Sequence, residues 1–421
     1  MNPEKIAVVG GGISGISIAR MLSKNAQVTV FEKNDKIGGL VRCDHVSAGL
    51  YHKLGGHVFN TKTPAVSEWF WRIFDQEKEF YHLTRDARIL FDGQLIGYPL
   101  ENHLYQLPEE ICNRVVDELL EMSRQPNPIA PTNFKEFLIK TFGATLCETY
   151  FFPYNEKIWR CPLETIPLGW LEGKLPMPRI EEIFKSNILR IQEKAMVHAR
   201  FYYPKNGGSQ FIVDRLAEGL DIRLQCDVSS VRKGDDGLWR INGEEQGYDK
   251  VVYSGDVRRL GDIYDIESVF PEFEKLKNLR TRGITNTLCY CDESDVSWLY
   301  IPSADFAANR IIYTGGFSPQ NNAGSRMTCV VEFLFGEKEE IIEEDIRRLP
   351  GRLERVATNH VRDAYVIQEP DTREIVAALK DKVRHEGLFL HGRFAEWEYY
   401  NIDKCIEAAF NLEKEVVNRP C

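Results

Sequence analysis

The sequence predicts an α/β fold in which a Rossmann-like dinucleotide-binding domain is interleaved with a helical domain and an antiparallel β-sheet domain. Three observations predict it. An apolar strand at Ile6–Val9 runs straight into a glycine cluster and a helical pattern. The stretch from Pro108 to about Gln192 has the apolar spacing of amphipathic helices broken at prolines. Strand-like segments then return in two groups, with no repeat or low-complexity linker between them, so the domains are interleaved rather than strung in series.

The chain has 421 residues, 43% of them hydrophobic and 28% charged, enough for two or three packed units, since a single core stops growing near roughly 250–300 residues. Fifty-three basic against 63 acidic residues leave a net charge of −10 and no basic block, which argues against nucleic acid as a partner. The 10 cysteines are scattered without a CxxC pair, so they read as reduced thiols and no metal site is expected. The chain enters a strand within its first residues, and no stretch reaches the ~18 apolar residues of a membrane span. A cytoplasmic enzyme is expected.

The first motif, "KIAVVGGGISGISIARML", gives each glycine a task. Gly10 makes the tight turn, Gly12 lets the backbone reach a pyrophosphate, and Gly15 permits close packing of helix on strand. Ile13 and Ser14 open a helix whose N-terminal N–H groups and dipole favour the phosphates. Glu32, at the end of the second strand and followed by Lys33, is placed to accept hydrogen bonds from a ribose. A merely structural glycine turn is the alternative, but strand, helix, strand and acid stand in register. A second pair, Gly38-Gly39 before Leu40, is superfluous in a simple dehydrogenase and favours FAD over NAD. A third pair, Gly55-Gly56, precedes His57 and would let the backbone approach the isoalloxazine ring. For His57 the alternative is a hydrogen-bonded core histidine capping a strand.

The dinucleotide domain is expected to comprise residues 1–64, 193–265 and 380–421, with Val228 on the cofactor side. The helical substrate-side domain is expected over 100–192 and the antiparallel sheet over 65–99 and 266–379. Within the last, "ARILFDGQLIGYPL" predicts a hairpin turning at Asp92-Gly93.

Six separated motifs, in order and over nearly the whole chain, resemble the UDP-galactopyranose mutase family: "GGHVF" (55–59), "GYPLENHLYQLP" (97–108), "PYNEKIW" (153–159), "YPKNGGSQ" (203–210), "WLYIPS" followed by Arg310, and "GRFAEWEYYN" (392–401). The resemblance implies an isomerase that interconverts the pyranose and furanose forms of a nucleotide-diphosphate sugar. It works on reduced FAD, whose N5 attacks the anomeric carbon and expels the nucleoside diphosphate, and NADPH or another reductant is needed for activation. A role in cell-surface polysaccharide biosynthesis follows from the same likeness, and a homodimer is compatible with it.

Residue by residue, the resemblance makes His57 a catalytic contact to the flavin, on a loop whose backbone moves upon reduction. Arg310 becomes the pyrophosphate-binding arginine. Tyr98, Asn102, Asn155, Trp159, Tyr300, Tyr399 and Asn401 become substrate contacts, and Gly392 and Arg393 belong to the flavin pocket. The chain also departs from the family. Lys174 stands where a mobile-loop arginine is expected, so either Lys174 acts less directionally or Arg179 swings in. Asn401 replaces a common aspartate. Phe317 and Gln368 align with pocket tyrosines, which points to a changed substrate such as another nucleotide or a 6-deoxy sugar. An FAD oxidoreductase of the amine oxidase or protoporphyrinogen oxidase type, and a flavin-binding protein without catalysis, are the competing readings. The first would need an apolar substrate cage; the mutase needs cations above the flavin.

Overall fold

The structure, a computed structural model, describes residues 3–124, 130–168, 178–191 and 199–417. Its centre is a five-stranded sheet in the order 388–390, 250–253, 5–9, 27–31 and 221–223, with all neighbours parallel. Parallel strands covered on both faces read as continuous apolar runs, and Ile6, Ala7 and Val8 are each fully buried. The helices Ile13–Leu22 and Ile402–Val417 cover one face through Ile16, Ala19, Ile406 and Ala409. Trp239, Val257 and Leu379 pack on the other. Three distant parts of the chain therefore build one nucleotide-binding unit.

The helix Pro64–Ile73 also joins this unit. Its Val66, Trp69 and Phe70 fall on one helical face and pack into the same core as Ile6 and Val8. The sequence reading places this stretch with the sheet domain, because the flanking hairpin belongs there; its apolar stripe sends it to the other core.

The second sheet has seven strands in the order 354–366, 281–291, 327–334, 310–312, 298–300, 87–91 and 94–97. It is antiparallel except where Trp298–Tyr300 runs parallel to 87–91. The hairpin turns at Asp92 and Gly93, whose φ values of 46° and 74° match a primed turn. Helices Glu109–Ser123, Phe134–Phe142, Phe152–Trp159 and Ile180–Leu189 close over this sheet around Leu119, Phe134, Phe142 and Trp298. Among the described residues no helix is long and apolar enough to cross a membrane.

Candidate active site

Two adjoining cavities lie between these units. The larger, of about 390 Å³, runs along the carboxyl ends of the parallel strands and is lined by Gly10, Gly12, Ile13, Ser14, Glu32, Lys33, Gly39, Leu40, His57, Val228 and Arg393. Its floor is shaped by missing side chains. A Cβ on Gly15 would stand 1.9 Å from the Gly10 carbonyl oxygen, so the helix lies directly on the turn. A Cβ on Gly39 would stand 3.1 Å from the Gly12 Cα, and the Gly38 N–H donates to the Gly11 carbonyl at 2.9 Å, locking the first two glycine clusters together. The buried Glu32 carboxylate accepts from Gly11 N–H at 2.7 Å and Asn34 N–H at 2.9 Å. It thus fixes the turn while still facing the cleft. Gly392 sits behind the lining, where a Cβ would reach 2.6 Å from that of Ser14.

The smaller cavity, of about 150 Å³, is lined by Gly55, Gly56, Arg85, Trp298, Tyr300, Arg310, Tyr365 and Tyr399. His57, Arg393, Asn401 and Ile402 line both cavities and form their seam. Gly56 presses on strand 310–312, since a Cβ there would meet Ile312 at 2.6 Å; Gly55 has φ of 54°.

His57 is partly buried, and its Nε2 is enclosed without a hydrogen-bond partner among the described residues. Burial, then the charges of Arg393 and other neighbours, push its pKa down to about 3, so the imidazole is neutral. Arg393 stacks 4.4 Å over Tyr399, with its Nε and Nη2 likewise unpartnered among the described residues. Orphaned buried donors are costly. A ligand carrying acceptors at the seam would satisfy them, as the polar edge of a flavin does.

Arg310 donates from Nη2 to Glu332 Oε2 at 2.8 Å and to the Tyr365 hydroxyl at 2.9 Å. Burial works against its charge, but Glu332 and the surrounding phenols outweigh it and raise the guanidinium pKa. Arg85 donates to the Tyr300 hydroxyl at 2.6 Å and lies 5.1 Å over Tyr98 and 5.2 Å over Trp298.

The remaining predicted residues fall elsewhere. Tyr98 stacks on Tyr300 at 4.7 Å, one layer behind the wall, and Asn102 is buried in the turn after it. Trp159 is also one layer back, edge-on to Tyr365 at 6.4 Å. Asn155 donates to the Phe151 carbonyl of its own helix at 2.7 Å. Arg179 is exposed and paired with Glu182 at the start of helix Ile180–Leu189. Lys174 lies outside the described residues. Two alignments need correction. Tyr365, not Gln368, brings a phenol to the cavity: the Gln368 amide is turned away to the Trp397 carbonyl at 2.5 Å, because strand 354–366 ends before it. Phe317 sits behind Gly56 against Trp298 at 5.0 Å, with no hydroxyl position to lose.

Lys157, within the "PYNEKIW" stretch, donates to the carbonyls of Ile301 at 2.8 Å, Ser303 at 2.5 Å and Ala308 at 3.2 Å. It pins both limbs of the loop joining Tyr300 to Arg310. We expect Lys157→Met to retain flavin and raise KM about tenfold, one charged hydrogen bond's worth, with a smaller effect on kcat in steady-state kinetics.

A flavin-shaped dinucleotide cleft opening onto a cationic second cavity defines a two-cavity flavoprotein. The chain belongs to the flavin-containing amine oxidoreductase family, whose profile matches residues 13–294. Among individual relatives, dTDP-fucopyranose mutase of Escherichia coli is 27% identical over 421 residues, 96% of each chain. UDP-galactopyranose mutase of Mycoplasma genitalium is 25% identical over 275 residues, covering 62% of this chain and 63% of that one. The crystal structure of reduced UDP-galactopyranose mutase superposes with a TM-score of 0.85 at 20% identity, covering 99% of this chain and 98% of that one. The α/β fold with its interleaved units is therefore shared with that enzyme.

Proposed function

We propose that this chain is a flavin-dependent mutase interconverting the pyranose and furanose forms of a nucleotide-linked hexose. The observation that carries the reading is the cationic cavity: Arg85, Arg310 and Arg393 face one space that meets the dinucleotide cleft at His57. An amine or ring oxidase would need an apolar cage there. Two mutases among the relatives support the same class, the Escherichia coli enzyme over nearly its full length.

The cleft residues fit FAD, which in its reduced form supplies an electron-rich N5 as nucleophile toward an anomeric carbon. The chain's own residues do the rest. Arg310, held by Glu332 and Tyr365, faces the diphosphate as it leaves and gains charge. Neutral His57 and the Arg393 donors orient the ring edge, and Gly55 leaves the loop backbone free to adjust. The hydroxyls of Tyr300, Tyr365 and Tyr399 offer further donors. NADPH or a comparable reductant would activate the enzyme, and we place its action in the cytoplasm as a monomer or homodimer. Since Phe317 and Gln368 remove no hydroxyl from the cavity, the sugar is either galactose or a 6-deoxy hexose, on UDP or dTDP.

The test incubates dithionite-reduced and oxidised enzyme with UDP-, dTDP- and GDP-hexoses and analyses the sugar ring by NMR. Furanose formed only after reduction is the expected result. Stoichiometric oxidation of any substrate, or no furanose from the whole panel, would sink the reading.

A further inference from the structure

The family resemblance asks for a second diphosphate-binding cation on a mobile loop, where this chain has Lys174. We propose instead that Arg85 is the second diphosphate-binding residue, a specificity element built into the rigid sheet. The inference rests on the mutase reading above.

Arg85 lies between two sheets. It follows strand Phe80–Thr84 and its N–H donates to the Ala199 carbonyl at 3.0 Å. The next residue, Asp86, accepts from Ser297 N–H at 2.7 Å, the step that brings Trp298 and Tyr300 alongside. The guanidinium is thus fixed from behind by main-chain pairing, and from the sides by the faces of Tyr98 and Trp298 at 5.1 and 5.2 Å. Aromatic faces hold a guanidinium plane without consuming its N–H donors, all of which lie along its edge. One donor goes to the Tyr300 hydroxyl at 2.6 Å, which leaves that phenol oxygen's own proton to point onward.

The placement relative to Arg310 matters equally. Strand Trp298–Tyr300 pairs with Arg310–Ile312 on one side and with 87–91 on the other, and Tyr300 is the register partner of Arg310. Arg85 and Arg310 therefore flank Tyr300 on the rim of one cavity. A diphosphate has two phosphoryl groups to neutralise, and two guanidiniums on either side of a phenol match that spacing of charge. Arg310 is already paired with Glu332, so its field toward a ligand is partly offset; Arg85 restores it. A cation on a sheet is in place before the ligand arrives, whereas one on a loop must be ordered by it.

The experiment measures dissociation constants of flavin-loaded wild type, Arg85→Met and Arg85→Gln for UDP, dTDP, uridine and thymidine by tryptophan fluorescence, for which Trp298 is a local reporter. We expect both variants to lose about 10- to 100-fold in affinity for the diphosphate that wild type binds, and less than threefold for the matching nucleoside. Either variant that keeps its flavin and its melting temperature, yet binds the diphosphate within threefold of wild type, overturns the proposal while leaving the mutase reading intact. Equal losses for nucleoside and diphosphate also overturn it, since they mark a damaged aromatic wall. Wild type that binds neither diphosphate brings down both.

Discussion

Replacing Arg310 by methionine should lower kcat/KM by about 10²- to 10³-fold without removing the flavin, the loss typical of one preorganised donor aimed at developing charge. The side chain reaches the cavity from strand Arg310–Ile312 and does not line the dinucleotide cleft, so cofactor content should be unchanged. The effect should lie mainly in kcat, because bound substrate carries its diphosphate charge spread over a linked ester, while the departing group concentrates it. A structural cost is also expected. Glu332 has a side chain only 4% exposed, and removing its partner leaves a buried carboxylate, worth about 3 kcal/mol of stability. The double variant Arg310→Met, Glu332→Gln separates the two effects. It should recover melting temperature and leave kcat/KM low. Recovery of activity along with stability would show that Arg310 acts only as a structural counter-ion, and the catalytic assignment would fail.

The glycine grammar of the first 60 residues was legible because each glycine answers a local steric demand. A turn at positive φ, a helix resting on a carbonyl and two backbones in contact each leave a glycine at a fixed offset, whatever the rest of the chain does. The hairpin at Asp92-Gly93 was legible for the same reason. Arg85, Glu332 and Tyr365 were not, because nothing local marks them. Each sits in ordinary strand sequence, and only the order of the seven-stranded sheet brings them beside Arg310. Motif matching also counted Trp159 and Tyr98 as contacts, where packing sets them one ring behind Tyr365 and Tyr300. A spacing that survives between relatives can preserve a supporting layer as readily as the surface that touches a ligand. The helix Pro64–Ile73 shows the converse: its apolar stripe was readable, but which of two cores it would face was a matter of three-dimensional proximity.

Gly15→Val is the sharper test of the dinucleotide cleft. The new Cβ would begin 1.9 Å from the Gly10 carbonyl oxygen and 3.1 Å from its carbon, both main-chain atoms at the end of a central strand. Neither can rotate away, so helix Ile13–Leu22 must lift from the sheet. That helix is buried on nearly every residue, and its displacement would open the core against Ile402–Val417 and swing the first-turn N–H groups away from a pyrophosphate. Purified protein should therefore be colourless, or lose its flavin absorbance on gel filtration, with a melting temperature well below wild type. Gly93→Ala is the matched control, since it too has a positive φ, of 74°, yet a Cβ there meets nothing within 4 Å. It should cost about 1 kcal/mol from backbone strain and keep a full complement of flavin. If Gly15→Val instead retained flavin at the wild-type ratio, the helix N-terminus would not be holding phosphate. The cleft would then have to bind its cofactor through Glu32, Val228 and the seam residues alone, and the nucleotide-binding reading of the first motif would fall.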